Sequence, residues 1–426
     1  MGKQEETRID VLNDIGIENV QKAAKTLKGI SLDTPLTKSI RYSKKYAAKV
    51  YLKREDLQIV RSYKIRGAYN KISSLTQEDK DKGIVCASAG NHAQGVAYSC
   101  QLLGIKGTII MPAPTPKQKV EQVEMFGDGF VELVLEGDTF DDSKKLALKF
   151  AKQHVCQFIH PFDDEKIIEG QGTVGLEILN QSTKAIDYLF LPVGGGGLAA
   201  GVSSVFRVLS PDTKIIGVEP EGAPAMTTSF KNGRNTELEH INKFVDGAAV
   251  KRVGDLTFGI CYENLFEMAT VHEGRVCQTI LDLYNKDAIV AEPAGALSLA
   301  VLDQFAKQIK GKNVVCVISG SNNDITRMEE IKERALLYRG LKHYFLVRFP
   351  QRAGALKEFV EKVLGPHDDI THFEYIKKSS REKGAAVVGV ELQKKEDFEV
   401  LLARMKSRNF FGAYLNEDEN LLAILI

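Results

Sequence analysis

The sequence lacks an excess of charge of either sign, and it lacks any long run of apolar residues. Its 426 residues include 57 basic and 56 acidic side chains, so nothing in the charge favours a nucleic acid or an anionic membrane as partner. No apolar run approaches the roughly 18 to 20 residues that cross a membrane. We therefore expect a small-molecule ligand, with no nucleic acid and no membrane as partners.

The six cysteines lack the spacing of a metal site. They form no CxxC pair and no Cys/His cluster, and they are scattered along the chain at Cys86, Cys100, Cys156, Cys261, Cys277 and Cys316. This pattern is typical of buried thiols in a reducing compartment, and we assign no metal ligand. The first residues, MGKQEETRID, include acidic side chains and no apolar segment of a secretion signal. The expected location is the cytoplasm.

From about residue 48 to residue 336, short β-branched runs alternate with longer helical patterns. This alternation is typical of a parallel sheet with crossover helices, so the predicted class is α/β. Loops at the carboxyl ends of such strands are where α/β sheets bind ligands. The predicted strands are Val50–Lys53, Ile84–Ala87, Thr108–Met111, Val155–Ile159, Tyr188–Val193, Ile215–Glu219 and Val314–Ile318.

The pattern changes after the charged helix predicted at Met328–Arg339, and a second domain is expected to begin near residue 341. Its segments are the strand HYFLVRF, the helix AGALKEFVEKVLG, the strands ITHFEYIKK and GAAVVGVEL, the helix EDFEVLLARMKSR, and closing strands in FFGAYL and LLAILI. The order β-α-β-β-α-β predicts a ferredoxin-like α+β domain. The predicted domains are residues 1–336 and 341–426.

Two segments of the α/β part offer an amine and an anion site, and each has a purely structural alternative. Lys64, in RSYKIRGAYNKI, stands where a loop enters a helix. A partly desolvated amine could form a Schiff base with an aldehyde cofactor there, although a single lysine is more often a surface charge. In CASAGNHAQGVA, residues 88–91 open a helix after a buried strand, so their N–H groups could bind an anion. The alternative is ordinary N-capping.

Two further strand ends offer a phosphate site and a ring partner. Gly194–Gly197 leads from a strand into a helix, where successive N–H groups could converge on a phosphate. The segment matches neither a P-loop nor GxGxxG, which disfavours a nucleotide; a flexible turn is the alternative. Ser319, in VVCVISGSNND, could hydrogen-bond a ring nitrogen without holding it protonated. Its alternative is a strand end followed by a turn.

Taken in order, the four segments resemble the fold-type II family of pyridoxal-phosphate enzymes. SYKIRGA is similar to the lysine motif of that family, SAGNHAQG to its carboxylate loop, GGGG to its phosphate loop and SGSN to its ring-nitrogen serine. The resemblance covers about residues 20–335. The segments EPAGA and FVDGAAVKRVGD also resemble segments of the threonine dehydratases within that family. FPQRAGAL and ITHFEY resemble the ACT-like regulatory domain of the biosynthetic threonine dehydratases, in the short form with a single such unit.

This resemblance implies a fold and an activity. The fold has two doubly wound lobes, the smaller over about residues 57–157, followed by the ACT-like domain. The implied activity is pyridoxal-phosphate-dependent dehydration and deamination of L-threonine to 2-oxobutanoate and ammonia, the first step of isoleucine biosynthesis. Isoleucine and valine are the implied effectors, and a homotetramer is the implied assembly. L-Serine dehydratase, serine racemase and a non-catalytic amino-acid sensor are the alternatives.

The resemblance also implies the residues of the site. Lys64 would be the catalytic Schiff-base lysine and Tyr63 the aromatic residue beside the cofactor ring. Asn91 would bond the ring hydroxyl, and Ser319 the pyridine nitrogen. The cofactor phosphate would lie on Gly194, Gly195, Gly196 and Gly197, and the substrate carboxylate on Ser88, Ala89, Gly90 and Asn91.

The sequence departs from the family in two places. Ala353 stands where the regulatory motif of the family usually has proline. Glu219 and Ala223 match a cation site of some relatives, but Ala225 stands where that site has an acid.

Overall fold

The computed structural model describes residues 15–350, 352–375 and 383–417, and these residues form two compact units. The first unit comprises the described residues up to Glu273 together with Leu283–Asp324. The second comprises Gly274–Asp282 and the described residues from Ile325 onward. The predicted boundary at residues 336–341 lies one helix further along the chain and stays a prediction.

The strands of the first unit are mostly short and buried, as expected for parallel strands covered on both faces. They are β1 (Leu36–Lys38), β2 (Lys49–Arg54), β3 (Ile84–Ala87), β4 (Gly107–Met111), β5 (Val131–Leu135), β6 (Gln157–Phe158), β7 (Tyr188–Pro192), β8 (Lys214–Pro220), β9 (Glu267–Val271) and β10 (Asn313–Ile318).

The helices of this part of the chain connect successive strands. They are α1 (Ile17–Thr26), α2 (Ile40–Tyr46), α3 (Lys64–Ser73), α4 (Gln77–Asp81), α5 (Asn91–Leu103), α6 (Lys117–Gly127), α7 (Phe140–His154), α8 (Glu165–Gln181), α9 (Gly197–Leu209), α10 (Ala225–Asn232), α11 (Asp255–Asn264), α12 (Glu273–Asp287) and α13 (Pro293–Ala300). Among the described residues, every helix is too short or too polar to cross a bilayer.

The strands form two sheets, one in each lobe of the first unit. The larger has the order β1-β2-β10-β7-β8-β9 and the smaller the order β5-β4-β3-β6. Neighbouring strands are parallel except for the antiparallel pair of β1 and β2. The predicted α/β fold with two lobes is confirmed.

The errors in the strand predictions lie at the sheet edges. Strands β1, β5 and β9 were not predicted, and each is an edge strand with several exposed or half-buried residues. The strand expected at Val155–Ile159 is only Gln157–Phe158, because Val155 has a left-handed backbone (φ 53°) that ends α7. Edge strands bury one side or less, so they lack the continuous apolar runs that identify central strands.

Helices α8 and α9 pack unusually closely beneath the larger sheet. A Cβ added to Gly201 would lie 2.3 Å from the carbonyl oxygen of Ile168 and 2.6 Å from the nitrogen of Gly172. Only glycine permits this approach. Since α9 begins at Gly197, the contact also fixes the helix that follows the glycine loop.

The second unit has the expected ferredoxin-like order. Besides residues 274–282 of α12, its elements are α14 (Met328–Tyr338), β11 (Lys342–Pro350), α15 (Ala355–Lys362), β12 (Asp369–Tyr375), β13 (Lys383–Glu391), α16 (Asp397–Ser407) and β14 (Phe411–Tyr414). The strand order is β12-β13-β11-β14, and the neighbours are antiparallel. This confirms the predicted α+β domain. The closing strand expected in LLAILI lies outside the described residues.

Candidate active site

Lys64 is the first residue of α3, and its position is fixed by the end of β10. The nitrogen of Tyr63 donates to the carbonyl of Ser319 at 3.2 Å, which joins the start of α3 to the larger sheet. Lys64 is half-buried, and its Nζ donates to the carbonyl oxygen of Pro161 at 2.7 Å. The same Nζ lies 5.4 Å from the centroid of the Tyr63 ring. Lys64 is therefore not a solvated surface charge.

The surroundings of Lys64 favour its neutral amine. Burial lowers the pKa of Lys64 from 10.5 to about 8, while the carboxylate of Glu292 opposes that shift. Burial and the nearby positive charge of Lys64 lower the pKa of His92 to about 3, so this imidazole is neutral at physiological pH. A lysine with a depressed pKa can act as nucleophile or base near neutrality.

Asn91 belongs to a partly buried chain of amide and carboxyl groups. Its Nδ2 donates to Oε1 of Glu292 at 2.7 Å, and its Oδ1 accepts from Nδ2 of Asn322 at 2.6 Å. Glu292 precedes the Pro293 that starts α13, and its nitrogen donates to the carbonyl of Gly320 at 3.1 Å. Three loops distant in sequence therefore meet at Asn91.

Glu292 is a site residue to which the sequence analysis gave no role. It is 5% exposed, and burial, aided by repulsion from Asp246, raises its pKa to about 7. A carboxyl group of raised pKa that interacts electrostatically with a lysine of lowered pKa is typical of active sites. The available signal was the segment AEPAGA, in which the one acidic residue stands among small apolar ones.

Gly194–Gly197 forms the turn between β7 and α9. Gly196 has φ 95°, a left-handed conformation that favours glycine. A Cβ on Gly195 would lie 2.2 Å from the Phe162 ring, and one on Gly197 would lie 3.1 Å from the Phe162 Cα. Within the described part of the chain, the N–H groups of this turn have no acceptor. Unpaired N–H donors at a helix start fit an anion such as a phosphate.

Residues 88–91 join β3 of the smaller sheet to α5. Ser88 is buried, and its Oγ accepts from the nitrogen of Gly90 at 3.2 Å, so the hydroxyl caps its own turn. Helix α5 packs directly on Lys64, since a Cβ on Gly95 would lie 3.2 Å from the Lys64 carbonyl carbon. The helix start that was predicted to bind a carboxylate therefore belongs to a helix in contact with the lysine.

Contacts connect the predicted segments in two branches from α3. In one branch Lys64 contacts Pro161, and the adjacent Phe162 contacts the glycine turn. In the other branch Tyr63 contacts Ser319, a buried residue directly after β10. Gly320, the next residue, accepts a hydrogen bond from the nitrogen of Glu292, and the Glu292 carboxylate accepts one from Asn91. The first unit thus combines a lysine amine of lowered pKa, a carboxyl group of raised pKa and a glycine turn with unpaired N–H groups.

Glu219, the residue that matched a cation site of some relatives, is occupied in capping α10. Its two carboxylate oxygens accept from the nitrogens of Met226 and Thr227 at 2.7 and 2.8 Å, and from Oγ1 of Thr227 at 2.7 Å. Burial raises its pKa to about 7 despite these bonds. In residues 15–350, 352–375 and 383–417, we find no group of three or more His, Cys, Asp or Glu side chains suited to a metal ion.

Comparison with known families gives two matches that together cover most of the chain. Residues 28–320 match the family described as pyridoxal-phosphate-dependent enzyme. Residues 333–425 match the C-terminal regulatory domain of threonine dehydratase.

Similar proteins are found over nearly the full length of the chain. The biosynthetic L-threonine dehydratase of Halalkalibacterium halodurans is 55% identical over 415 residues, which are 97% of this chain and 100% of that protein. The Bacillus subtilis protein of the same name is 53% identical, over 97% of this chain and 98% of its own. The structure of the processed threonine deaminase isoform 2 of Solanum lycopersicum has a TM-score of 0.72 and 39% identity, covering 75% of this chain and 88% of that chain.

Proposed function

The chain belongs to the family of pyridoxal-phosphate-dependent enzymes, and we propose that it converts L-threonine to 2-oxobutanoate and ammonia. The observation that supports this most directly is the 53–55% identity to biosynthetic L-threonine dehydratases over essentially their whole length. The regulatory-domain match at residues 333–425 supports the same assignment. Serine dehydratase, serine racemase and a non-catalytic sensor are not favoured.

The residues of the first unit fit pyridoxal phosphate. A side chain on Gly195 or Gly197 would meet Phe162, and the free N–H groups of this turn suit a phosphate. Bound there, the cofactor supplies an aldehyde for amines and a ring that withdraws electrons from the substrate Cα. We assign its phosphate to Gly194–Gly197, its ring hydroxyl to Asn91 and its ring nitrogen to Ser319.

We assign two tasks to Lys64: holding the cofactor and moving the substrate Cα proton. A pKa of about 8 supports both, because a substantial fraction of the amine is neutral near pH 7.5. The Pro161 carbonyl, 2.7 Å from Nζ, orients the amine without adding a countercharge. Tyr63 would lie beside the ring.

The remaining assignments concern the substrate and the leaving group. The N–H groups and side chains of Ser88, Ala89, Gly90 and Asn91 would hold the carboxylate of L-threonine. The neutral hydroxyl of Ser319 cannot stabilise a positive ring nitrogen as a carboxylate would, which favours loss of the β-hydroxyl over transamination.

The test of the activity is 2-oxo acid formation by the pyridoxal-phosphate-loaded protein from L-threonine and, separately, from L-serine. We expect turnover of L-threonine, with 2-oxobutanoate and ammonia in equal amounts. Racemised serine without 2-oxo acid would support the racemase alternative, and a protein that binds no cofactor would support the sensor.

The second unit is proposed to bind isoleucine as inhibitor, with valine opposing it. The match to a regulatory domain of threonine dehydratase supports an effector-binding role. Isoleucine should then reduce L-threonine turnover by the full chain, and removal of residues 341–426 should abolish this inhibition. Unchanged inhibition after the removal would contradict the proposal. We also propose that the protein is cytoplasmic and that it forms a homotetramer. Sedimentation of the full chain tests the tetramer.

A further inference from the structure

The carbonyl oxygen of Gly195, in the middle of the glycine turn, is held by two donors. Oγ1 of Thr257 donates to it at 2.6 Å, and the nitrogen of Gly254 at 3.3 Å. The Thr257 hydroxyl also lies 3.2 Å from the carbonyl of Gly254, so its shorter contact is with the glycine turn. Thr257 is fully buried in the first turn of α11.

Fixing this carbonyl also fixes a donor of the turn. A trans peptide is planar, and its N–H points opposite to its C=O. Holding the Gly195 carbonyl therefore sets the direction of the Gly196 N–H, which has no acceptor in the described residues. A glycine turn would otherwise sample many orientations, because glycine is the most permissive residue.

Asp163 anchors the start of α11 and with it Thr257. Its Oδ2 accepts from the nitrogen of Asp255 at 3.0 Å, and its Oδ1 from the nitrogen of Thr257 at 3.1 Å. The fit is close, since a Cβ on Gly254 would lie 2.1 Å from Oδ1 of Asp163. Asp163 follows Pro161 and Phe162, which contact the Lys64 amine and the glycine turn.

We infer that Asp163 and Thr257 are positioning residues that preorganise the glycine turn for the phosphate group of its ligand, an inference that rests on the proposed function. Neither residue is assigned to touch the reacting atoms. Their hydrogen bonds to the backbone of Gly195 and of α11 hold the turn so that its N–H donors are oriented before the phosphate arrives. A donor array that is already ordered loses less entropy on binding.

The inference can be tested by titrating the full-length apoprotein with pyridoxal phosphate and with pyridoxal, following visible absorbance. Thr257→Val removes the hydroxyl at nearly constant volume and should raise the Kd for pyridoxal phosphate by roughly threefold to tenfold. The Kd for pyridoxal, which has no phosphate, should not change. Thr257→Ser keeps the hydroxyl and should bind pyridoxal phosphate like the parent protein.

Thr213→Val is the matched control. Thr213 is also buried, and its hydroxyl donates to the carbonyl of Ile186 at 2.8 Å. It directly precedes the amino end of β8, whereas the glycine turn follows the carboxyl end of the parallel strand β7. This variant should lose comparable thermal stability and keep its Kd for pyridoxal phosphate.

Three results would overturn the inference: an unchanged Kd for pyridoxal phosphate in Thr257→Val, equal weakening of pyridoxal, or equal weakening in Thr257→Ser. The proposed function fails differently. In that case the parent protein itself binds no pyridoxal phosphate or forms no 2-oxo acid from L-threonine. A parent protein that does both, together with an unaffected Thr257→Val, refutes only the positioning role.

Discussion

Lys64 and Arg66 are cations two residues apart in the same helix, but they have opposite surroundings. Arg66 is fully buried and contacts Glu55 through Nε and Nη2, both at 2.8 Å, and Glu177 through Nη1 and Nη2 at 2.5 and 2.8 Å. Lys64 has a backbone carbonyl as its hydrogen-bond acceptor. One cation is neutralised by carboxylates and the other is not.

The difference separates a cation with a structural role from the one proposed to act in the reaction. Burial alone would raise the pKa of Glu55. Attraction and hydrogen bonding to Arg66, with smaller contributions from Lys53 and Thr34, together outweigh burial and lower the pKa, so the pair stays ionised. At Lys64 burial outweighs the attraction of the Glu292 carboxylate, so the pKa of Lys64 falls to about 8. Carboxylate partners keep the buried Arg66 charged. The half-buried Lys64, whose hydrogen-bond acceptor is a backbone carbonyl, loses its proton more easily.

The largest effect on turnover is expected from removing Lys64, the cation proposed to react. Lys64→Ala should lower L-threonine turnover by at least about a thousandfold, since it removes both the cofactor-binding amine and the base. Lys71→Ala, in the same helix, breaks a pair with Asp164 of 2.7 Å and should keep its turnover. The measurement is 2-oxobutanoate formation together with the visible absorbance of bound cofactor. Full turnover in Lys64→Ala would refute the assignment.

The next largest effect comes from removing the paired cation. Arg66→Ala leaves the buried Glu55 without its ion-pair partner and leaves Glu177 paired with Lys53, at 2.6 Å. It should lower the free energy of unfolding by about 3 to 5 kcal/mol. Urea denaturation of the full chain, followed by circular dichroism, measures this change. A loss below about 1 kcal/mol would mean that the carboxylates find other partners and that the two cations differ less than their contacts indicate.

The pH dependence of cofactor binding tests the depressed pKa of Lys64. The neutral amine reacts with an aldehyde, so the rate of combination of apoprotein with pyridoxal phosphate should rise with pH and level off above about 8. Glu292 raises the pKa of Lys64, so Glu292→Gln should move the midpoint to lower pH. Stopped-flow absorbance between about pH 6.5 and 9.5 measures both. A rate that still rises steeply at the upper end of this pH range, as for a lysine of ordinary pKa, would show that Lys64 is solvated.

The smallest effect is expected for an exposed ion pair. Nη1 of Arg207 lies 3.1 Å from Oε2 of Glu263, and both side chains are about half exposed. Arg207→Ala should change the free energy of unfolding by no more than about 1 kcal/mol. It serves as the control for Arg66→Ala in the same urea titration. If Arg207→Ala lowered the free energy of unfolding as much as Arg66→Ala, burial could not explain why the Arg66 ion pairs matter more for stability.

The central elements of the fold were predictable because their patterns are local. Strands such as Ile84–Ala87 and Tyr188–Pro192 are buried along their whole length, and this appears directly as an apolar run. The edge strand Val131–Leu135 is only partly buried and shows no such run. Sequence periodicity therefore identified the interior of each sheet better than its edges.

The sequence by itself determined the α/β class, the ferredoxin-like domain and the chemical inventory: a lysine at a helix start, a glycine turn and a helix start suited to anions. Each depends on neighbours within a few residues.

Only the tertiary structure decided which groups surround them. Asn91 and Glu292 are 201 residues apart in sequence yet share a hydrogen bond, and Thr257 reaches Gly195 across 62 residues. The ion pair of Arg66 with Glu177, which distinguishes Arg66 from Lys64, also joins distant parts of the sequence, because Glu177 lies in α8. A pKa depends on burial and on charges close in space, and neither can be obtained from local sequence patterns.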